Sequence, residues 1–217
     1  YYLPKLADLW VNNSLIDSFQ LEDIKLEPIL FQAGYLTIRQ VRESRRGGIE
    51  YLLCLPNKEV KLAFNDVIID YLTDQITSKT RYQDQLYEQL ENVDLSALEK
   101  TLTALFASIP YNNYVNNTIS SYEGYFASVI YAYLASLGLD ITAEDVTSKG
   151  RIDLTVKLDD KTYILEFKVD QPGSAMAQLM GKNYQEKYMS EKNSIYLIGI
   201  DFSSTEKNIT TFSWKKL

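Results

Sequence analysis

An α/β chain is predicted. It ends in a mixed sheet flanked by helices, in the order αβββαββ, and a small helical module comes first. Three observations carry this reading. Two β-rich runs, residues 151–158 and 161–168, are broken by Asp159-Asp160 and read as a hairpin. A helical stretch from about residue 121 to 137 precedes them and stops at Gly138. After them, Pro172-Gly173 leads into a helix over about 174–190, then into strands at 194–201 and 208–214.

The elements before this sheet follow from spacing. Leu6, Leu9, Trp10 and Leu15, then Ile24, Pro28-Ile29 and Phe31, recur at helical intervals, so residues 3–33 read as helical and end at Gly34. Tyr35–Val41 and Glu50–Leu55 read as strands joined by Ser44-Arg45-Arg46-Gly47-Gly48. Residues 59–74 read as an amphipathic helix with Val60, Phe64, Val67, Ile68 and Tyr71 inward. Helices, a two-stranded ribbon and a further helix make residues 1–80 winged-helix-like. Arg42, Arg45 and Arg46 stand at the ribbon tip, where they would meet solvent or a nucleic-acid backbone.

Residues 81–107 read as two connecting helices split near Asn92–Asp94, with Asp94 or Ser96 as cap and Tyr87, Leu90, Leu98, Leu102, Leu105 and Phe106 as the apolar stripe. Asparagine-rich residues 109–118 form the linker to a second domain, 109–217, in which residues 141–147 add a short strand before the hairpin.

The hairpin is the informative element. Folding about Asp159-Asp160 pairs Ile152 with Phe167, Leu154 with Leu165 and Val156 with Tyr163, an apolar face. The other face sets Asp153 opposite Glu166 and Arg151 opposite Lys168. Two carboxylates directly opposed destabilise a sheet. Arg151, Lys168 or a bound cation must offset them. Ile164 also lies on that face, so the strand is expected to be covered on both sides.

Composition limits the chemistry. The chain has no histidine, which excludes His zinc sites, Ser-His triads and His general bases. Any metal must be oxygen-bound, which points to Mg2+ or Mn2+. Cys54 is alone, so there is no disulfide framework, and its apolar strand suggests a buried thiol. The net charge of −7 argues against broad non-specific nucleic-acid affinity. No apolar run approaches a membrane span and no secretory signal is read, so the expected location is the cytoplasm. The chain opens on Tyr1-Tyr2-Leu3 and is expected to be a piece of a longer protein. It has no GxxxxGK[ST] motif, so no ATP site is expected here.

Asp153, a twelve-residue gap, then Glu166-Phe167-Lys168 resembles the D…ExK signature of the PD-(D/E)XK (restriction-endonuclease-like) nucleases. The context GRIDLTV, a tight turn, YILEFKVD, Ala177-Gln178-Leu179 with Lys182 and Tyr184, then IYLIGIDF is similar to a bacterial branch in which this domain follows an AAA-ATPase-like domain. The stretch ILFQAGYLTI…YLLCLPNKEVKLAF looks like the end of that ATPase-like domain.

The resemblance implies a restriction-endonuclease-like fold and a Mg2+- or Mn2+-dependent nuclease acting on DNA or RNA, with DNA ahead of RNA. Asp153 and Glu166 would hold the metal, joined by the Phe167 backbone carbonyl and by Glu123. Lys168 would orient or activate water, or stabilise the transition state. Gln178 would support the site from its edge, and Lys182, Tyr184 and Arg151 would meet substrate. Glu123 also fits a capping box with Ser120, which would give it a purely local role. The branch has a histidine near Phe126 that this chain lacks. For Lys182 and Tyr184 an exposed helix face is the competing reading. The tyrosines, 17 in all, would stack bases or simply pack.

The partners implied are nucleic acid and the ATPase-like region of the same full-length protein, with a homo-oligomer compatible and no membrane. Two other classes compete: a catalytically silent nuclease-fold binding module and a regulatory region of an ATPase machine. The intact Asp153, Glu166 and Lys168 set argues against the silent module.

Overall fold

The computed structural model describes residues 9–12, 26–45, 47–75, 77–110, 123–171 and 173–217, the side chains of Leu26 and Glu123 excepted. The chain divides into two compact units, Tyr1–Phe64 and Asn65–Leu217. The two helices read as connectors fall inside the second unit.

In the first unit, β1 (Leu9–Asn12), β2 (Thr37–Glu43) and β3 (Ile49–Cys54) form an antiparallel sheet in the order β1-β3-β2. Leu9–Asn12 was expected to be helical. Four residues are too few for periodicity to decide, and Trp10 and Val11 pair with Leu52 and Tyr51 of β3 instead. The rest of the expected 3–33 helix is described only from α1 (Leu26–Gln32) onward, and Gly34 leaves it with a φ of +81°. Leu53, Leu36, Val11 and Cys54 are buried. Arg42 does not reach out from the ribbon tip. Its guanidinium lies 3.7 Å from the Trp10 ring centre and 2.7 Å from Glu50. Arg46 lies outside the described residues.

Helix α2 (Lys58–Thr73) starts where the Asn57 side chain accepts the Val60 N–H, at 2.8 Å. Val67 and Tyr71, expected inward, are 58% and 69% exposed. Polar residues replace them on the buried stripe: Asn65 and Thr73 are buried beside Ile69. A pattern read from apolar residues alone rotates the face. Thr73 belongs inside because its hydroxyl bonds the Ile69 carbonyl at 2.7 Å.

In the second unit come α3 (Lys79–Glu91), α4 (Leu95–Ala107) and α5 (Glu123–Ser136), then β4 (Asp140–Thr147), β5 (Gly150–Leu158) and β6 (Lys161–Val169). Helix α6 (Ala175–Lys182), a 3-10 turn at Tyr184–Lys187, β7 (Ser194–Ser203) and β8 (Asn208–Lys216) complete it. From α5 onward this is the predicted αβββαββ order. Asp94 caps α4 by accepting the Ala97 N–H at 2.9 Å. In α3, Tyr82, Leu86 and Leu90 face inward while Tyr87 is exposed, contrary to the expected stripe. The expected 174–190 helix stops at Lys182, because Asn183 turns left-handed with a φ of +49°.

The five strands run in the order β4-β5-β6-β7-β8, with β6 and β7 parallel and the other pairs antiparallel. A parallel pair needs a crossover, and α6 with its 3-10 turn supplies it. One sheet face packs against the helical cluster that includes Leu86, Leu102, Phe106, Phe126 and Ile130. The other carries a smaller cluster of Ile152, Ile164, Leu179, Tyr184, Tyr188, Ile195 and Leu197. The strand Tyr163–Phe167 is therefore buried on both sides, as its composition required. No described helix is long and apolar enough to cross a membrane.

Candidate active site

The hairpin register begins as predicted. Leu158 pairs with Lys161, Val156 with Tyr163 and Leu154 with Leu165. There the ladder ends. The Phe167 N–H, which a β5 carbonyl would receive in a continuing ladder, donates to the Asp153 carboxylate at 2.8 Å. On the other side, Ala143 pairs with Leu154 and Asp145 with Ile152, but the rung between them is missing and Glu144 has a φ of +52°. Regular pairing thus fails on both sides of Asp153. This is why Ile152 joins the α6-side cluster instead of the face shared by Leu154 and Phe167, where an unbroken register would put it. Arg151, expected opposite Lys168, is exposed and paired with Glu144 at 3.3 Å.

Glu166 is 3% exposed and accepts a hydrogen bond from the Gln178 amide. The close fit of α6 on the sheet brings Gln178 there. Glu166 lies beside Gly199 in the β6–β7 register. A Cβ on Gly199 would stand 2.4 Å from the Met176 backbone nitrogen. The α6 start is fixed at the same level: Ser174 caps it, and Asp201 accepts the Ala175 N–H at 2.8 Å. Lys168, two residues beyond Glu166 and so on the same face of β6, is half-buried. It lines a cleft of about 360 Å³ with Gly173, Ser174, Asp201 and Thr211.

Tyr184 is the surprise among the predicted residues. It is 3% exposed, so it does not lie on a solvent face. Its hydroxyl lies over Gly150, where an added Cβ would stand 2.9 Å from it. Burial pushes its pKa above the ordinary phenol value, and the nearby charges of Glu166 and Asp153 push the same way. Lys182 ends α6 and is exposed. Glu123 is the first residue of α5, and its side chain lies outside the description.

Asp145 was missed by sequence reasoning. It is 4% exposed and gathers Thr155 Oγ1, Lys187 Nζ and the Tyr188 hydroxyl. Its neighbour Glu144 carries the same charge in the sequence, and only the pleat decides which one turns inward. Gly150 and Gly199 were missed as well. Each reads as an ordinary glycine until a second element is placed against it.

The donors suit a hard cation. The Asp153 carboxylate holds the N–H next to Glu166, and with no histidine in the chain the oxygen donors of this pair suit a magnesium-type ion keeping several waters. Among the described residues no group of three or more acidic or cysteine side chains could hold a metal. A fuller shell would need donors beyond these two carboxylates.

A curated relative, "Uncharacterized protein in vnfD 5'region" of Azotobacter chroococcum mcd 1, is 41% identical over 216 residues. The match takes in 97% of this chain but only 41% of the relative's length. No solved structure matches the chain. The region that holds Asp153, Glu166, Lys168, Gln178 and Tyr184 does find a family: residues 121–212 match the PD-(D/E)XK nuclease superfamily.

Proposed function

We propose that residues 109–217 form a metal-dependent nuclease domain that hydrolyses phosphodiester bonds, with DNA ahead of RNA as substrate. The observation that supports it is the opened ladder. A sheet made only for stability would continue its backbone bonds at Asp153. Here a carboxylate takes the Phe167 N–H beside the buried, Gln178-bonded Glu166.

In this reading Asp153 and Glu166 hold Mg2+ or Mn2+. In a strand the N–H and C=O of one residue face the same edge, so the Phe167 carbonyl faces the same opening and is the third candidate ligand. Glu123 is the fourth. The chemistry such an ion supplies when bound is polarisation of the scissile phosphodiester and a lowered pKa for the attacking water. Lys168, facing the cleft beside Gly173, offers its ammonium to the attacking water or to the charge developing on phosphorus oxygens. Gln178 holds Glu166 in place. Residues 1–80 would be the end of an AAA-ATPase-like region of a longer protein that works with the nuclease domain in the cytoplasm.

The test uses the full-length protein. Calorimetric Mn2+ titration of wild type should show binding that Asp153→Ala and Glu166→Gln remove, and bound metal should raise the melting temperature because it binds the native state. Lys168→Ala should keep metal affinity and lose cleavage of labelled DNA by at least a hundredfold. Metal binding without cleavage of any DNA or RNA substrate would instead favour a silent binding module. No binding at millimolar Mn2+ would end the metal-site reading.

A further inference from the structure

The crossover from α6 to β7 is strapped to the sheet. Three ion pairs tie it to β4, β5 and the turn between them: Lys187 to Asp145, Lys149 to Glu186 at 2.8 Å and Lys157 to Glu191 at 2.7 Å. Between this strap and the β4–β5 turn lies a cavity of about 460 Å³. Thr147, Ser148 and Lys149 wall it on the turn side, and Asn183, Glu186 and Lys187 on the strap side. The turn closes onto the strap at Gly150, whose φ of +144° is one that side chains rarely adopt.

The two lysines of the cavity differ. Lys187 is committed to the buried Asp145 carboxylate. Lys149 and Glu186 are both exposed, at 40% and 55%, and a pair so open to water is weakly held. The Glu186 carboxylate therefore marks an anion position that another anion can take. Ser148 and Asn183 add a hydroxyl and an amide beside it. The cavity also stands on the side of the sheet that carries the candidate metal site. Leu179 of α6 and Tyr184 of the strap share one cluster, and α6 brings Gln178 to Glu166. Lys149 precedes Asp153 by four residues, about 13 Å of extended chain. Phosphates of a duplex strand recur about every 3.4 Å along the axis. A strand with its scissile phosphate at Asp153 and Glu166 would carry further phosphates out to this cavity.

We propose that the cavity between the β4–β5 turn and the strap holds a backbone phosphate of the nucleic-acid substrate, with Lys149 as its cation and Glu186 as the anion it displaces. This rests on the nuclease reading above and adds the direction in which the substrate strand leaves the metal.

Binding of labelled DNA to the full-length protein in Mn2+ tests this, in a Lys168→Ala background where cleavage is suppressed. Lys149→Ala should weaken binding by up to about tenfold at about 0.1 M salt and lower the salt slope by about one, whatever the DNA sequence. Glu186→Gln should tighten binding about threefold, the change that an exposed ion pair is worth. A strap clamp and nothing more would move both variants the same way, since each breaks the same ion pair, and that result overturns the proposal. So does an unchanged affinity and salt slope in Lys149→Ala while wild type cleaves DNA, which leaves the nuclease reading standing. An equal loss in Lys215→Ala, exposed on β8 at the opposite edge of the sheet, would show general charge attraction and overturns it as well. Lys149-dependent stabilisation by inorganic phosphate with DNA affinity unchanged would mark a small-anion site, again against the proposal. Absence of both nucleic-acid binding and cleavage in wild type overturns both readings.

Discussion

Replacing Gly199 with alanine tests the argument that α6 is set by a steric fit on the sheet. The new Cβ would lie 2.4 Å from the Met176 nitrogen, 2.8 Å from its Cα and 3.0 Å from the Ala175 carbonyl carbon. All three are backbone atoms, so no side chain can swing aside. Either α6 lifts by about an ångström or β7 bends, and overpacking of this kind costs roughly 1–3 kcal/mol or more. For a chain of this size 1 kcal/mol shifts the melting temperature by about 2–4 °C, so a fall of roughly 2–12 °C is expected. Lifting α6 also draws Gln178 off Glu166, so Mn2+ affinity should fall together with stability. The control is Gly181→Ala, also on α6. Its Cβ would meet nothing within 4 Å, and it should be neutral or stabilising by up to about 1 kcal/mol. Differential scanning fluorimetry and calorimetry on both variants suffice. A Gly199→Ala protein melting within about 1 °C of wild type would refute the tight fit.

Two further outcomes follow from buried polar groups. Asp145→Ala strands the buried Tyr188 and Thr155 hydroxyls, whereas the Lys187 ammonium is partly exposed and can return to water, so a loss of about 2–3 kcal/mol and a melting-temperature fall of roughly 4–12 °C are expected. A fall under 2 °C would show that water replaces the carboxylate. The chain should also unfold in alkali. Burial raises the pKa of Tyr133, Tyr163 and Tyr188 above the ordinary 10.0. Their stabilising contribution is intact below pH 10 and is lost as pH rises through the folded-state values, because the unfolded chain ionises first. Tyrosinate absorbance near 295 nm between pH 8 and 12, followed with melting temperature, should show exposed tyrosines such as Tyr71 and Tyr87 ionising in the folded protein and a remaining buried fraction ionising only with unfolding. Ionisation of all the tyrosines in the folded protein near pH 10 would contradict this.

The sequence by itself determined the sheet and its central hairpin. Alternating β-branched and aromatic residues around Asp159-Asp160 permit one register, since a one-residue slip would exchange the faces. The observed pairs Val156–Tyr163 and Leu154–Leu165 are that register. The absence of histidine limits the donors open to any metal in the same way, because composition is independent of fold. Short or polar features had no such constraint. Four residues at Leu9–Asn12 could not choose strand over helix without β3 beside them. Asn65 and Thr73 could not announce their burial, because only their partners make it affordable. The candidate site was legible as types and spacing: Asp153, Glu166 and Lys168 fall on two adjacent strands. Its geometry was decided by contacts between segments far apart in sequence. The register predicted a continuous ladder, and the Asp153 carboxylate ended it by taking the Phe167 N–H. Tyr184 reads as a surface residue until Gly150, 34 positions earlier, leaves space for its hydroxyl. Local pattern records which face a residue prefers, while a close approach of two backbones exists only once both are in place.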